Sequence, residues 1–204
     1  MRILITALLV LAVGCPSTPD TGVEPTPEPV NSVDFGVSIK GDLKMKRWRQ
    51  VSRDLEAALL LPREAVCNET GLYPCTDLHA VPLGGVSIDN GLFRPVDTVS
   101  VTTGLAFERF VLAACWERLR RDSEEGATPL VFTIPMDETT LDTEAGSAQV
   151  VDLYRRLLGR DPTTDETDAV LAIHPGIIDD GGRNGDWATM ACFAIGTTTE
   201  GLLY

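Results

Sequence analysis

The chain has 204 residues, of which 44% are hydrophobic and 23% are charged, and its formal net charge is −13. This length suffices for one domain with a substantial core. The acidic balance excludes a typical nucleic-acid-binding protein, because such a protein needs clustered lysine and arginine to neutralise phosphates.

The N-terminus has the features of a bacterial lipoprotein signal. Met1 and Arg2 give a short positive start, and the apolar run over residues 3–13 is broken only by a threonine. At about 11 residues this run is too short to span a bilayer but suits the hydrophobic region of a secretory signal. The Ala-Val-Gly sequence before Cys15 resembles a lipobox, so we expect residues 1–14 to be a signal peptide and Cys15 to carry the lipid. An ordinary signal peptide cut nearby and an uncleaved anchor are the alternatives.

Residues 15–33 form the predicted tether. They are rich in proline, threonine and acidic side chains, so they cannot bury enough surface to offset their chain entropy, and we expect them to be disordered. Because proline favours extended backbone, the tether would hold the domain at residues 34–204 up to about 50 Å from the bilayer. Pro16 stands where an inner-membrane retention signal has aspartate, which favours the bacterial outer membrane within the cell envelope.

The first predicted helix lies within residues 47–62, where apolar side chains recur at spacings of three and four until Pro62 ends the pattern. The predicted buried stripe is Trp48, Val51, Leu55, Ala58 and Leu59. Basic residues cluster at the start of this helix, and they are Lys44, Lys46, Arg47, Arg49 and Arg53. We interpret them as a solvated face, with contact to anionic lipid or to the acidic half of the protein as the alternative.

The next stretch, residues 63–101, looks irregular because it holds three prolines and several glycines. Within it, residues 96–101 alternate in polarity and predict one short strand. If the protein binds a small ligand or is an enzyme, we place its pocket in this stretch, around Asp77 and His79.

Residues 104–122 predict a second helix, which is apolar on much of its circumference and is therefore expected to be central. Residues 130–135 are a short strand or an extended segment. A third helix over residues 147–159 ends at Gly159, a typical C-terminal cap. Its predicted buried stripe is Val150, Leu153, Tyr154, Leu157 and Leu158.

The fourth helix begins at a capping box formed by Thr163 and Glu166, and we expect residues 174–176 to stop it. The fifth, over residues 186–196, is expected to bury Trp187, Met190, Ala191 and Ala194. Together these elements predict a mainly α fold: a single compact helical domain with irregular and short β insertions.

Four of the five cysteines remain once the first is lipidated, and in an exported protein an even number suggests two disulfides. Of the three possible pairings we favour Cys67 with Cys75, which closes a tight loop, and Cys115 with Cys192, which links the second helix to the fifth. The alternative is a zinc site at Cys67, Cys75 and His79 with a fourth ligand from elsewhere. The gap between these cysteines exceeds the usual spacing of structural zinc motifs, so we expect no metal and no cofactor.

No catalytic constellation is apparent, and we assign no catalytic residue. His79 and His174 are the only histidines, and no serine lies in a Gly-x-Ser-x-Gly elbow. We expect His174 to satisfy carbonyls at a helix end. The loop over residues 179–186 does not match the twelve-residue calcium loop, and we interpret it as a polar turn capped by Asp186.

The segment Leu-Tyr-Arg-Arg-Leu-Leu-Gly-Arg-Asp-Pro-Thr, residues 153–163, resembles a motif in the C-terminal helical module of large exported proteins of planctomycetes and myxobacteria. The final stretch, residues 187–204, looks like the tail of that module. A surface-protein domain with a Leu-Tyr-x-x-Leu-Gly-Arg-x-Pro-Asp signature is similar but matches less well, because Thr163 replaces its aspartate. The resemblance implies an α-helical exported module and offers no catalytic residues.

The sequence therefore predicts a lipid-anchored envelope protein that acts as a non-catalytic interaction or assembly module. Its expected partners are the membrane, through the lipid, and another envelope protein, with no role for nucleic acid. An exported small-ligand-binding protein or enzyme is the alternative.

Overall fold

The computed structural model describes residues 44–69, 73–87, 91–95 and 100–204, with the backbone but not the side chains of Thr76 and Asp77. The predicted signal peptide, Cys15 and the predicted tether lie outside the described residues. Over the described part, the predicted mainly helical fold with short β insertions is confirmed.

Helix α1, Trp48–Leu59, is the amphipathic helix that the apolar spacing predicts. Leu60 adopts a left-handed conformation with φ of 50°, and the chain leaves the helix before Pro62. The backbone N–H of Lys46 donates to the carbonyl of Leu202 at 2.8 Å, so the segment before α1 is tied to the C-terminus. The side chains that α1 buries are those of Val51, Leu55, Ala58 and Leu59.

The stretch after α1 is irregular, as predicted. It contains a 3₁₀ turn at Arg63–Ala65, strand β1 at Asn68–Glu69, strand β2 at Tyr73–Pro74, and the four-residue helix α2 at Cys75–Leu78. The two strands pair antiparallel, with Asn68 opposite Pro74 and Glu69 opposite Tyr73.

Helix α3 spans Val101–Asp122 and is the longest described helix. Its start corrects the end of the strand predicted at residues 96–101. Positions 96–99 lie outside the description, but Ser100 is the N-cap and Val101 is already helical. The Ser100 N–H donates to the Thr103 hydroxyl at 3.1 Å, and this cap makes the helix favourable despite the β-branched residues nearby.

The segment over residues 130–135 is irregular, with bends at residues 130, 131 and 134, and it forms no strand. Side chains satisfy its backbone instead. The Asp122 carboxylate accepts N–H bonds from Leu130, Val131 and Phe132 at 2.8, 3.1 and 2.9 Å. Gln149 donates to the Val131 carbonyl at 3.0 Å. The short-strand alternative is therefore wrong, and the bends depart from the extended one.

Helix α4, Thr143–Leu158, begins four residues before the predicted start because Asp142 caps it, accepting the Ala145 N–H at 2.9 Å. It ends at Gly159, whose φ of 71° is the expected left-handed cap. Helix α5, Thr164–Leu171, begins at the predicted capping box. Val150, Leu153 and Tyr154 are buried, whereas Leu157 and Leu158 are only partly buried.

Helix α6, Ile173–Asp179, overturns the prediction that residues 174–176 stop the fourth helix. The break falls at Ala172, and Pro175 is tolerated because it lies in the first turn of α6, where its missing N–H has no intrahelical partner. His174 also departs from its predicted role. Its Nε2 lies 2.8 Å from the side-chain oxygen of Asn184.

Helix α7, Asn184–Gly196, is followed by the four-residue helix α8, Thr199–Leu202. The predicted α7 face is partly wrong, because Met190 is 40% exposed and Ala194 only partly buried. This helix packs against α3, α4 and α6, so its buried stripe is rotated from the predicted one. The buried stripe consists of Trp187, Ala188, Ala191, Cys192 and Ile195.

The two favoured cysteine pairings are those that the structure brings to bonding distance. The Cα atoms of Cys67 and Cys75 are 5.3 Å apart, and those of Cys115 and Cys192 are 5.9 Å apart. The second pair joins α3 to α7 at the centre of the core, where both cysteines are fully buried. Among the described helices, none combines the length and apolarity that crossing a membrane requires.

Candidate functional site: an apolar groove on helix α3

One side of α3 is left uncovered and forms an open groove of about 520 Å³. The α3 groove, as we call it, lies between this helix, the side chain of Phe193 from α7, and strand β1. Its apolar lining is Leu105, Leu112, Ala113, Trp116 and Phe193.

The exposure of this lining is unusual for such large apolar side chains. Leu105 is 56% exposed, Leu112 is 42% exposed and Trp116 is 50% exposed. Their spacings of seven and four residues place them on one face of the helix, over a length of about 16 Å at 1.5 Å per residue. Exposed apolar side chains that line up in this way mark interaction surfaces more often than scattered ones do.

Charged groups line the α3 groove beside its apolar row. The Glu69 carboxylate of β1 bonds to both Arg109 and His79, with 3.0 Å between its Oε2 and the Arg109 guanidinium and with its Oε1 against His79 Nε2. Burial alone would raise the pKa of Glu69, but hydrogen bonds and charges from His79 and Arg109 outweigh it and lower that pKa. The carboxylate is thus held ionised between two donors.

The predicted pocket residues Asp77 and His79 are only partly placed by the structure. His79 lies at the C-terminal end of α2 and pairs with Glu69, which lines the α3 groove, although His79 itself does not. The side chain of Asp77 lies outside the described residues. The structure therefore connects one of the two predicted residues to a cavity, and it does so through Glu69.

The lining residues of the α3 groove were not found from the sequence. Helix α3 is apolar on several sides, so its periodicity does not distinguish the side that packs from the side that stays exposed. Glu69 and Arg109 are 40 residues apart, and neither lies in a recognisable motif.

Two other sequence candidates have structural partners. Asn184, in the loop considered for calcium, donates to the carbonyls of Pro135 and Thr140 at 3.0 Å each, besides its bond to His174. In the basic cluster, Lys46 pairs with Asp54 of α1 at 2.8 Å. The Arg49 guanidinium lies over the Trp48 ring at 5.1 Å. Exposed positions, as a solvated face requires, are those of Lys44, Arg47, Arg49 and Arg53, but only 15% of the Lys46 side chain is exposed.

One group of metal-ligating side chains occurs among the described residues. Donor atoms of Glu69, Cys75 and His79 all lie within 4.8 Å of one another. The Cys75 sulfur is also at bonding distance from Cys67, and a disulfide sulfur is not the thiolate that a metal requires.

Comparisons with known proteins add no relative, since no family model, curated protein or solved structure matches this chain. The resemblance of residues 153–163 to an exported helical module stays a prediction.

Proposed function

We propose that the protein is a lipid-anchored component of the bacterial cell envelope and a non-catalytic interaction module, and that the α3 groove is its docking surface. The observation that supports this most is the row of half-exposed apolar side chains on a helix whose opposite side builds the core.

The shape of the α3 groove suits a polypeptide segment. It is open along its length, and about 16 Å corresponds to three turns of a docked amphipathic helix. Trp116 is a good anchor because tryptophan is enriched among the residues that contribute most to binding. Arg109, which is 64% exposed and lies between Leu105 and Leu112 along α3, would orient the segment by pairing with a complementary charge.

The chemistry of the lining favours binding over catalysis. Among the described lining residues there is no serine, threonine, cysteine or lysine to act as a nucleophile. Two carboxylates line the groove, those of Glu69 and Glu108, and the more buried of them, Glu69, is already engaged by His79 and Arg109. A general base in this position would first have to break that charged network.

The anchor rests on the sequence alone. The short apolar run, the lipobox-like residues before Cys15 and the proline-rich stretch after it together form the arrangement of a lipidated and tethered domain. Two well-placed cysteine pairs are in keeping with an oxidising compartment.

Site-specific photocrosslinking in intact cells tests the docking surface. A crosslinkable residue at position 112, inside the groove, should give a discrete adduct with one envelope protein. The same residue at position 130, where Leu130 is 50% exposed but outside the groove, should not. Trp116→Ala should lower the adduct yield at position 112 about tenfold or more, whereas Leu130→Ala should leave it unchanged. Identical adducts at both positions, or none at position 112, would contradict the proposal.

Binding of a small ligand is the second candidate. The volume of the α3 groove, about 520 Å³, lies within the range of ligand pockets, and charged side chains belong to its lining. In that case Glu69→Gln should abolish binding of a small amphipathic molecule to the purified protein. A protein partner anchored by Trp116 should tolerate the same substitution better than Trp116→Ala.

A further inference from the structure

Four side chains that ligate zinc in other proteins converge where β1, β2 and α2 meet. Cys67 immediately precedes β1, Glu69 belongs to β1, Cys75 begins α2, and His79 follows α2 by one residue. The spacing of four residues from Cys75 to His79 places both on one face of α2. Glu69, Cys75 and His79 have donor atoms within 4.8 Å of one another, and Cys67 joins this group through its sulfur, which is at bonding distance from that of Cys75.

The distances suit a single tetrahedral ion. Ligand atoms about 2.0–2.3 Å from zinc are separated from each other by roughly 3.3–3.8 Å. The donor atoms of Glu69, Cys75 and His79 already lie within 4.8 Å of one another. Cys67 is closer still to Cys75, so breaking the disulfide would let the two sulfurs separate to the spacing that an ion requires.

We propose that the reduced form of this site binds one Zn²⁺ through Cys67, Cys75, His79 and Glu69, and that the Cys67–Cys75 disulfide is its metal-free oxidised form. A dithiol reductant supplies two electrons and two protons to the disulfide and becomes a disulfide itself. Zinc then displaces one proton from each new thiol. His79 Nε2 gives up the proton that it donates to Glu69, so the imidazole binds in its neutral form with its remaining proton on Nδ1. His79 Nε2 and one oxygen of Glu69 thereby exchange their mutual hydrogen bond for bonds to the metal.

The surroundings of the site support a metal centre. Arg109 donates to the second carboxylate oxygen of Glu69, which is the kind of contact that orients a ligating carboxylate. Cys75 is fully buried, and the side chains of His79 and Glu69 are 14% and 17% exposed, so water has limited access. Either a disulfide or an ion would close the same loop between Cys67 and Cys75.

The second cysteine pair provides an internal control. Cys115 and Cys192 are both fully buried between α3 and α7, and no other metal-ligating group accompanies them in the described part of the chain. Mild reduction of the folded protein should therefore act first on Cys67, which is 8% exposed.

The experiment titrates Zn²⁺, and Co²⁺ as a spectroscopic probe, into the purified full-length protein before and after mild reduction. Thiols are counted, and the helical circular dichroism signal is recorded. With two thiols released, we expect one zinc per chain, competition against a chromophoric chelator, and thiolate-to-cobalt charge-transfer absorption. The oxidised protein should show none of these.

Variants separate a specific site from adventitious thiol binding. Glu69→Gln and His79→Gln should each weaken zinc binding about 10–100-fold, whereas His174→Gln, which alters the histidine away from the site, should not. If reduction melts the helices, zinc added during refolding should restore the helical signal. No stoichiometric binding by the reduced protein, binding indifferent to Glu69→Gln and His79→Gln, or failure of zinc to restore the melted chain would overturn the proposal.

Discussion

The buried ion pair at the end of α3 gives the sharpest stability prediction. The Asp122 carboxylate is fully buried and accepts four hydrogen bonds. Three come from the backbone of residues 130–132 and one comes from Arg118, at 2.7 Å. Asp122→Ala would leave a 6% exposed guanidinium without its counter-ion and three N–H groups without acceptors. Removing one partner of a buried pair costs about 3–5 kcal/mol, a large share of the roughly 5–15 kcal/mol that stabilises a domain.

Urea unfolding followed by circular dichroism measures this effect. At a slope of about 2 kcal/mol per molar urea, a loss of about 4 kcal/mol lowers the midpoint by about 2 M. The matched control is Glu124→Ala, which removes one of the two partners of Arg120 at the same four-residue spacing just beyond the end of the helix, where both side chains are about half exposed. That change should cost about 0.5 kcal/mol or less. If the two variants lose similar stability, the role assigned to Asp122 is wrong.

Three further predictions follow from close packing, covalent links and charge. Gly196→Ala should destabilise the fold by about 1–3 kcal/mol, since its new Cβ would lie 2.7 Å from the side chain of Val111. Gly104→Ala should instead stabilise the fold by about 0.5–1 kcal/mol, because nothing lies within 4 Å of the added Cβ. The opposite order of melting temperatures would refute this. In urea unfolding, C115A/C192A should lower the free energy of unfolding by about 4.5 kcal/mol and C67A/C75A by about 2.5 kcal/mol. The losses differ because the first disulfide spans 77 residues of chain and the second spans 8. Equal losses would contradict the two linkages. The Arg160 guanidinium and the Thr163 N–H lower the pKa of Glu166 from 4.5 to about 2. The stability that the Glu166 carboxylate contributes is therefore present above pH 4.5 and is lost as the pH falls through 2. Glu166→Gln should flatten that part of the acid unfolding profile, and an unchanged profile would argue against the ion pair.

Local signals in the sequence were sufficient for much of the fold. The apolar spacing in α1, the Thr163–Glu166 capping box and the glycine after α4 all act within a few residues, so they can be recognised without tertiary information. The pairing of Cys67 with Cys75 could also be predicted locally, because only eight residues separate the two cysteines and a closed loop of this length forms easily.

What could not be predicted depends on residues far apart in the chain. The strand expected near residue 100 is replaced by the start of α3, whose Thr103 hydroxyl donates to the carbonyl of Pro82 at 3.0 Å. The Met190 side of α7 looks as apolar as its buried side, and only packing against neighbouring helices decides between them. Proline breaks a helix in most contexts, but Pro175 lies in the first turn of a new helix, where it is tolerated.

The α3 groove could not be predicted from the sequence for the same reason. Its apolar residues are visible in the sequence as part of a helix, but the exposed side is defined only once α1 and α7 cover the rest. The charged part of the lining forms only because β1 places Glu69 next to Arg109. No sequence spacing indicates that approach.

Export and acylation at Cys15 are the premises of the envelope role, and mass spectrometry of the N-terminal peptide from the membrane-extracted protein tests them directly. We predict a mature chain that begins at Cys15 with fatty acyl groups attached, and a Cys15→Ala variant that is no longer recovered with the membrane. An unmodified chain retaining Met1 in the cytosolic fraction would contradict the proposed anchor and the envelope role built on it.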